Sequence, residues 1–335
     1  MPKRPVAMFA MTAENVPRVF PPDTLTRLRD LVDLDPDLVA RDFTDPRVRA
    51  RLARTEILIT GWGCPVLDAD ALAAAPELRA VLHAAGSVKG FTTREVWDRG
   101  IAVSSAADAN ALPVAEYTLA MILLAGKNVF AFRDRLRAER AFPYGEILPG
   151  VGNFGRRVGV IGASRVGRRL IELLRPFDLE VSLADPYVDR AGAAALGVPL
   201  LPLDAVLAGS DIVTVHAPET PETRHLVGRR ELALMPDGSV LVNTARGSLV
   251  DHEALVEELR SGRISAILDV TDPEPLPAAS PLFGLPNAFV TPHIAGSQGN
   301  EVARLGATVL GELERLLSGR ELEFGVDAGE LDRAA

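Results

Sequence analysis

Cysteine, aromatic residues and long basic runs are scarce or absent in this chain of 335 residues. The single cysteine, Cys64, excludes an intrachain disulfide and a metal site built from cysteines. Aromatic residues make up only 5% of a sequence that is 47% hydrophobic, so the core must be largely aliphatic, as in a parallel sheet covered by helices. The net charge of −9 argues against nucleic acid as the main partner.

The sequence also offers no clear secretion signal and no membrane span. Residues 1–5 are basic, but the apolar stretch after them is short and soon meets Glu14. The most apolar helix, around residues 114–130, carries Glu116 and Lys127 and is too short and too interrupted to span a bilayer. We therefore expect a cytoplasmic protein with no membrane partner, and the length predicts two domains.

Apolar runs and helical patterns alternate along the chain, which predicts an α/β fold. In the first part we expect strands at 6–9, 57–60, 80–83 and 101–104, with helices at 25–32, 70–75 and 93–99. A long helix is expected to begin near Leu112 and to continue to about Arg140. Beyond it we expect strands at 157–161, 180–184, 211–215, 239–243, 264–269 and 288–290, and helices at 165–176, 189–196, 203–208, 228–234 and 251–261. This order predicts a doubly wound sheet, and a last helix near 300–318 is expected to return to the first domain.

A glycine turn links the strand at 157–161 to the helix that follows it. The sequence from Gly162 to Gly167 fits the dinucleotide-binding pattern G-x-G-x-x-G except that Ser164 holds the middle position. In that pattern the pyrophosphate lies on the helix N-terminus, and an acid at the end of the next strand, here Asp185, binds the ribose hydroxyls. Serine is the smallest polar substitute and is able to hydrogen-bond a phosphate oxygen. The alternative is a turn whose glycines serve only packing.

Three polar side chains follow predicted strands at the sheet edge where open α/β sheets bind their ligands. Arg246, next to Gly247, can aim its planar fork at a carboxylate. Glu274 lies in a loop fixed by prolines, and His293 lies in a small-residue turn and is a suitable proton donor. The alternatives are a surface arginine, an exposed loop acid and a structural histidine.

Together these three side chains predict the interconversion of a keto acid and a hydroxy acid. A nicotinamide would deliver hydride to the carbonyl carbon, and an imidazolium would protonate the oxygen. The neighbouring carboxylate would favour the charged imidazole, and Arg246 would orient the substrate and polarise its carbonyl. NAD is favoured over NADP because Asp185 would repel a 2′-phosphate, although Arg190 leaves a minor NADP activity open.

Over nearly its whole length the chain resembles the D-isomer-specific 2-hydroxyacid dehydrogenases. The matching stretches are 99–101, 114–116, 216–223, 242–251, 268–275 and 291–296. The resemblance implies that Arg246, Glu274 and His293 form the catalytic set. It also implies a discontinuous substrate domain, at 1–107 and 300–335, a cofactor domain at 108–299, and homodimers formed through the cofactor domain.

Further site residues follow from the resemblance by position. The expected cofactor contacts are Gly162, Ser164, Arg165 and Val166 at the pyrophosphate, Asp185, Ala217, Pro218 and Thr223 at the adenosine, and Thr244, Ala245, Asp269, His293 and Gly296 at the nicotinamide end, with Asp269 on the carboxamide. The loop at 86–89 corresponds to the loop that binds the substrate carboxylate through backbone N–H groups. It makes Ser87, Val88 and Lys89 expected substrate contacts.

The chain departs from the family pattern at a few positions that bear on the substrate. Thr271 replaces the usual aromatic residue, the segment at 142–144 stands where many members carry a tryptophan, and Lys89 favours a second anionic group. The leading hypothesis is an NAD-dependent reductase of small 2-ketoacids such as glyoxylate or hydroxypyruvate. Formate dehydrogenases place glutamine beside the histidine, so Glu274 counts against that activity.

Two alternatives stay open. One is a short phosphoglycerate dehydrogenase, since the long type adds a regulatory domain for which the chain ends too soon. The other is an NAD(H)-sensing binding protein of the corepressor type, because the corepressors that share this fold keep the catalytic set.

Overall fold

Strands and helices alternate along the chain, as the sequence predicts. This computed structural model describes residues 4–140 and 150–329. Within those residues the strands are β1 (Val6–Ala10), β2 (Asp33–Ala40), β3 (Ile57–Thr60), β4 (Ala80–His83), β5 (Ala102–Ser105), β6 (Arg156–Ile161), β7 (Leu179–Ala184), β8 (Ile212–Val215), β9 (Val240–Asn243), β10 (Ser265–Leu268) and β11 (Ala288–Val290).

The α-helices of the same residues are α1 (Val16–Val19), α2 (Pro22–Leu31), α3 (Pro46–Leu52), α4 (Ala69–Ala73), α5 (Arg94–Asp98), α6 (Ala107–Gly126), α7 (Val129–Glu139), α8 (Arg165–Leu174), α9 (Arg190–Leu196), α10 (Leu203–Gly209), α11 (Arg229–Leu234), α12 (His252–Ser261) and α13 (Val302–Leu317). Short 3₁₀ helices cover Ala13–Asn15, Pro221–Thr223, Gly247–Leu249, Pro281–Phe283 and Gly299–Glu301.

The described chain divides into two compact units. Unit 1 takes residues 4–111 and 297–329, and unit 2 takes residues 112–140 and 150–296. Unit 1 contains a five-stranded sheet in the order β2-β1-β3-β4-β5, and unit 2 a six-stranded sheet in the order β11-β10-β9-β8-β6-β7. Every neighbouring pair of strands is parallel. The predicted α/β fold with two Rossmann-like doubly wound sheets is therefore confirmed.

Unit 1 has apolar cores on both faces of its sheet, because successive strand residues point to opposite sides. Met8 packs with Leu58 and Val81 on one face, whereas Phe9 packs on the other face in a cluster that includes Leu313 of α13. The C-terminal helix therefore belongs to unit 1. The chain after it runs beside β5, where the N–H of Val326 donates to the carbonyl of Val103 at 2.8 Å.

Strand β2 was missed by the sequence prediction. Its sequence, DLDPDLVA, contains Pro36 and three aspartates and so lacks the pattern of a buried strand. The strand is nevertheless possible because β2 lies at the edge of the sheet, where a missing N–H donor and exposed acids are tolerated. Its partner is β1, and the pairing is irregular between Ala7 and Phe9.

The single helix predicted from about 112 to 140 is wrong, because the structure has two helices there. The first, α6, begins earlier, at Ala107, and ends at Gly126, and α7 begins at Val129. Between them Asn128 adopts a left-handed conformation with φ 52°, which interrupts the helical hydrogen bonds. The segment at 142–144 lies outside the described residues.

Helix α6 is long and apolar enough to cross a membrane when only length and composition are considered. In unit 2 its residues Ala115, Ile122 and Ala125 pack in a buried cluster with Val158 of β6 and Leu170 of α8. Part of the apolar surface of this helix is therefore buried inside unit 2.

Candidate active site

The glycine turn lies where the sheet of unit 2 changes its direction of winding. Strand β6 has β7 on one side and β8 on the other, so the chain segments that leave β6 and β8 separate at this edge. Gly162 follows β6 with φ 96°, and a Cβ atom there would lie 2.6 Å from the backbone nitrogen of Ala217, which follows β8. Only glycine lets the turn pass so closely.

Ser164 is the N-cap of helix α8. Its Oγ accepts a hydrogen bond from the N–H of Gly167 at 3.3 Å, and its φ of −63° is an ordinary value that does not require glycine. The departure from the glycine pattern thus leaves the turn intact. Arg165 and Val166 form the first turn of α8, where Arg165 is exposed and Val166 half-buried.

The carboxylate of Asp185 lies directly beside the glycine turn. It accepts the N–H of Ala163 at 2.7 Å and the N–H of Tyr187 at 2.7 Å. A carboxylate has about four acceptor positions, so room remains for two hydroxyl donors. A helix N-terminus and an acidic side chain therefore lie next to each other, and these residues fit a dinucleotide.

The expected adenosine contacts after β8 form one closed loop. The Thr223 hydroxyl donates to the carbonyl of Pro218 at 2.7 Å, and Ala217 at the start of the loop is buried against Gly162. His216, just before the loop, is 2% exposed, and burial lowers its pKa to about 3. Its imidazole is therefore neutral near pH 7 and is unsuited to donate a proton.

Arg246, Glu274 and His293 follow three neighbouring strands, β9, β10 and β11. Because the strands are parallel, the segments after them leave the sheet at the same edge. The loop after β9 is held by Asn243, which the sequence analysis did not single out. Its Oδ1 accepts the N–H of Ala245 at 3.0 Å, and its Nδ2 donates to the carbonyl of Arg246 at 2.8 Å.

The loops that carry Arg246 and Glu274 are in close contact. A Cβ atom on Gly247 would lie 2.0 Å from the backbone carbon of Thr271 and 2.5 Å from the nitrogen of Asp272, so the two loops meet at a glycine. The half-buried guanidinium of Arg246 donates to the carbonyl of Ala245 at 2.7 Å. Among the described residues Arg246 has no hydrogen bond to Glu274 or His293. Arg246 is therefore not part of the contact between Glu274 and His293.

His293 and Glu274 are in direct contact, with 2.6 Å between Nδ1 and Oε1. Their side chains are 49% and 42% exposed, so the pair opens outward from unit 2. His293 adopts a left-handed backbone with φ 53°, which is uncommon for a residue other than glycine and frequent at functional sites. Since Nδ1 is occupied by the carboxylate, Nε2 is the nitrogen left for a ligand.

Asp269 organises the turn that carries His293. It is 1% exposed, and its carboxylate accepts the hydroxyl of Thr291 at 2.5 Å and the N–H groups of Ile294 at 2.9 Å and Ala295 at 2.8 Å. Gly296 ends the turn and is half-buried. These partners are all protein groups, so the carboxamide contact expected for Asp269 stays a prediction.

Two hydroxyls of α6 also reach this region, and the sequence analysis did not single out either one. Tyr117 contacts Thr291 at 2.7 Å, and Thr118 contacts Thr244 at 2.8 Å. A tyrosine or threonine in an apolar helix gives no signal of its own, since its partner lies in a loop far along the chain.

The loop expected to bind the substrate carboxylate follows β4 in unit 1. The Val88 side chain is 3% exposed and belongs to the core, so Val88 presents only its backbone, whereas Lys89 is exposed. The Ser87 Oγ accepts the N–H of Lys89 at 3.4 Å. His83, at the end of β4, contacts Thr60 at 2.8 Å. Burial lowers the pKa of His83 to about 3, although a hydrogen bond with the Ser87 backbone acts in the opposite direction.

No group of three or more His, Cys, Asp or Glu side chains suited to a metal ion occurs among residues 4–140 and 150–329. The geometry of unit 2 instead combines a dinucleotide-binding turn with an arginine, a glutamate and a histidine at adjacent strand ends.

Comparisons with known proteins agree with this geometry. Residues 119–295 match the NAD-binding domain of D-isomer specific 2-hydroxyacid dehydrogenases. The chain is 34% identical over 313 residues to the D-3-phosphoglycerate dehydrogenase of Mycobacterium tuberculosis, a match that covers 92% of this chain and 57% of that relative. It therefore spans little more than half the length of that relative.

Two other relatives match over nearly their whole length. The chain is 30% identical over 305 residues to the glyoxylate reductase of Korarchaeum cryptofilum, covering 88% of this chain and 90% of the relative. The crystal structure of a phosphoglycerate oxidoreductase from Rhizobium etli superposes with a TM-score of 0.81 at 25% identity, covering 97% of this chain and 99% of the other. The chain therefore belongs to the D-isomer-specific 2-hydroxyacid dehydrogenase family.

Proposed function

We propose that this protein is an NAD-dependent D-2-hydroxyacid dehydrogenase that works mainly as a reductase of small 2-ketoacids, such as glyoxylate or hydroxypyruvate. The observation that carries the proposal is the 2.6 Å contact between His293 and Glu274, at strand ends next to the loop of Arg246. An imidazole oriented by a carboxylate, beside a fixed guanidinium, suits a reaction that protonates the oxygen of an anionic substrate.

His293 is the proposed proton donor. Glu274 accepts a hydrogen bond from Nδ1–H and stabilises the imidazolium, so Nε2 donates its proton to the carbonyl oxygen of the ketoacid. When bound, NADH supplies the hydride that reduces the carbonyl carbon. In the reverse direction, neutral Nε2 accepts the proton of the hydroxyl group.

The substrate carboxylate is assigned to Arg246 of unit 2. A guanidinium binds a carboxylate with two parallel hydrogen bonds and thereby fixes the orientation of the carbonyl. In the described part of the chain no hydrogen bond uses the N–H of Ser87 or Val88, so both donors remain for an anion. The exposed ammonium of Lys89 favours a substrate with a second anionic or polar group.

We assign the cofactor to the glycine turn and the loops beside it. Gly162, Ser164, Arg165 and Val166 would hold the pyrophosphate, and Asp185 the adenosine ribose, with Ala217, Pro218 and Thr223 lining the adenosine. Thr244, Ala245, Asp269, His293 and Gly296 would surround the nicotinamide end. NAD is the proposed cofactor rather than NADP, because the carboxylate of Asp185 would lie next to a 2′-phosphate and repel it.

We further propose a cytoplasmic homodimer formed through unit 2. Support comes from an apolar groove of about 460 Å³ on that unit, which includes Leu123, Phe154 and Phe177. Phe154 is 91% exposed and Phe177 37% exposed, and exposed aromatic side chains of this size favour association. Light scattering of the purified chain tests the dimer, and a monomer at micromolar concentration would contradict it.

A phosphoglycerate dehydrogenase activity is the second candidate. It is favoured by the 34% identity to a relative of that name and by the exposed Lys89, which could bind a phosphate. A third possibility is an NAD(H)-binding sensor that carries out no turnover.

One substrate panel separates these functions. The full chain is incubated with NADH or NADPH and with glyoxylate, hydroxypyruvate or pyruvate, and separately with NAD and 3-phosphoglycerate, while the absorbance of the reduced cofactor is followed. NADH oxidation with a 2-ketoacid, lost in Glu274→Gln, is the expected result. Turnover of 3-phosphoglycerate alone would favour the second candidate. Silence throughout, with NADH bound in calorimetry, would overturn the proposal in favour of a sensor.

A further inference from the structure

Two adjacent hydroxyls on helix α6 contact two different loops of the candidate active site. Tyr117 Oη lies 2.7 Å from Thr291 Oγ1, in the turn that leads to His293. Thr118 Oγ1 lies 2.8 Å from Thr244 Oγ1, in the loop that leads to Arg246. Consecutive residues of a helix point about 100° apart, so neighbours in sequence can reach loops on opposite sides of β10.

The contact of Tyr117 continues to the backbone of the histidine turn. The Thr291 hydroxyl donates to Asp269, so it accepts the phenolic hydrogen of Tyr117. Asp269 in turn accepts the N–H groups of Ile294 and Ala295, the two residues after His293. Burial raises the pKa of Tyr117, so the phenol stays protonated and keeps its donor.

The contact of Thr118 leads to the arginine loop instead. The Thr118 hydroxyl donates to the carbonyl of Val114 at 2.7 Å, so it accepts the hydroxyl hydrogen of Thr244. Thr118 is 0% and Thr244 6% exposed, so water does not compete for this bond. Thr244 precedes Ala245 and Arg246, whose backbone is fixed by Asn243.

We propose that Tyr117 and Thr118 are separate positioning residues, Tyr117 for the turn of His293 and Thr118 for the loop of Arg246. Through two neighbouring side chains, one helix thereby sets the geometry of the proton donor and of the substrate-binding cation independently. The kinetic part of this inference rests on the proposed function. The structural part does not, because the hydrogen bonds lie within unit 2 whatever the substrate is.

Amide hydrogen exchange of the full chain with NADH tests the structural part. In Tyr117→Phe, exchange at Ile294 and Ala295 should accelerate by about ten-fold, while exchange at Ala245 changes by less than about two-fold. In Thr118→Val the pattern should reverse. Each variant serves as the control of the other, since both remove one hydroxyl from the same helix and change little in volume.

Steady-state kinetics test the catalytic part. Tyr117→Phe should lower kcat by about ten-fold and leave the KM of the ketoacid within about two-fold, because it displaces the proton donor. Thr118→Val should mainly raise that KM, because it loosens the group that binds the carboxylate, and Thr118→Ser, which keeps the hydroxyl, should restore it.

The exchange pattern decides the inference. If both segments accelerate equally in both variants, the hydroxyls stabilise the helix in general and the inference is wrong. It is also wrong if neither segment changes. If wild-type protein is inactive with every ketoacid but the crossed exchange pattern appears, the proposed function fails and the positioning roles stand.

Discussion

Replacing Gly247 with alanine should disable the candidate active site by displacing one loop against another. The Cβ atom of alanine would lie 2.0 Å from the Thr271 backbone carbon, whereas ordinary contact begins at 3.4 Å. The loops must therefore separate by about 1.4 Å, the difference between these distances, because both contacting groups are backbone and cannot rotate away. Arg246, the residue directly before Gly247, moves with its loop relative to Glu274.

The expected magnitude follows from the displacement. A misplacement of about 1 Å costs roughly 100-fold in rate at a catalytic site, which corresponds to about 2.7 kcal/mol. We therefore expect kcat/KM of Gly247→Ala for a 2-ketoacid to fall by at least about 100-fold. The affinity for NADH should fall less, because only Thr244 and Ala245 of its proposed contacts lie on the displaced loop, whereas the glycine turn and Asp185 lie elsewhere in the unit.

Gly209→Ala is the matched control for this experiment. Gly209 lies at the end of α10 in the same unit, and a Cβ atom there would meet nothing within 4 Å. Both variants are compared with wild type by NADH oxidation, calorimetry with NADH and thermal unfolding. If Gly247→Ala retains kcat/KM within about two-fold of Gly209→Ala, the contact between the loops does not set the geometry of the site.

Three further predictions concern single side chains. His293→Ala should cut turnover by at least about 100-fold and lower NADH affinity far less, because the proton donor is lost while the glycine turn and Asp185 keep their cofactor contacts; unchanged turnover would remove His293 from the mechanism. Asp185→Ala should lower the ratio of kcat/KM with NAD to kcat/KM with NADP, and an unchanged ratio would show that another group binds the adenosine ribose. Burial lowers the pKa of His83 and His216 from 6.5 to about 3, so the unfolded chain binds their protons first as the pH falls below 6.5. Each histidine should therefore reduce the free energy of unfolding by about 2 kcal/mol between about pH 7 and pH 5, and by more toward pH 3. Urea titrations at several pH values measure this loss, and a His83→Gln variant that loses as much free energy of unfolding over this pH range as wild type would contradict the prediction.

The order and positions of most elements could be predicted from the sequence. Strands such as β6 and β8 are short apolar runs bounded by turns, and this pattern is local to the segment. The sequence analysis also missed the short helices α1 and α3. Two of the failures have physical causes that act beyond the segment. The edge strand β2 is stabilised by pairing with β1 rather than by burial of its own side chains, and the helix after Leu112 is broken at Asn128 by a backbone conformation that composition does not reveal.

The sequence also indicates Arg246, Glu274 and His293 as candidates, since each follows a recognisable strand and belongs to a family motif, and their catalytic role stays a prediction. Which of these side chains are in contact depends on the folded structure, which brings His293 and Glu274 to 2.6 Å and supplies the groups that hold their loops. The bond of Tyr117 to Thr291 joins residues 174 positions apart, and that of Thr118 to Thr244 residues 126 apart. Such bonds depend on how strands and helices pack in space, whereas a sequence pattern reports only the preferences of neighbouring residues.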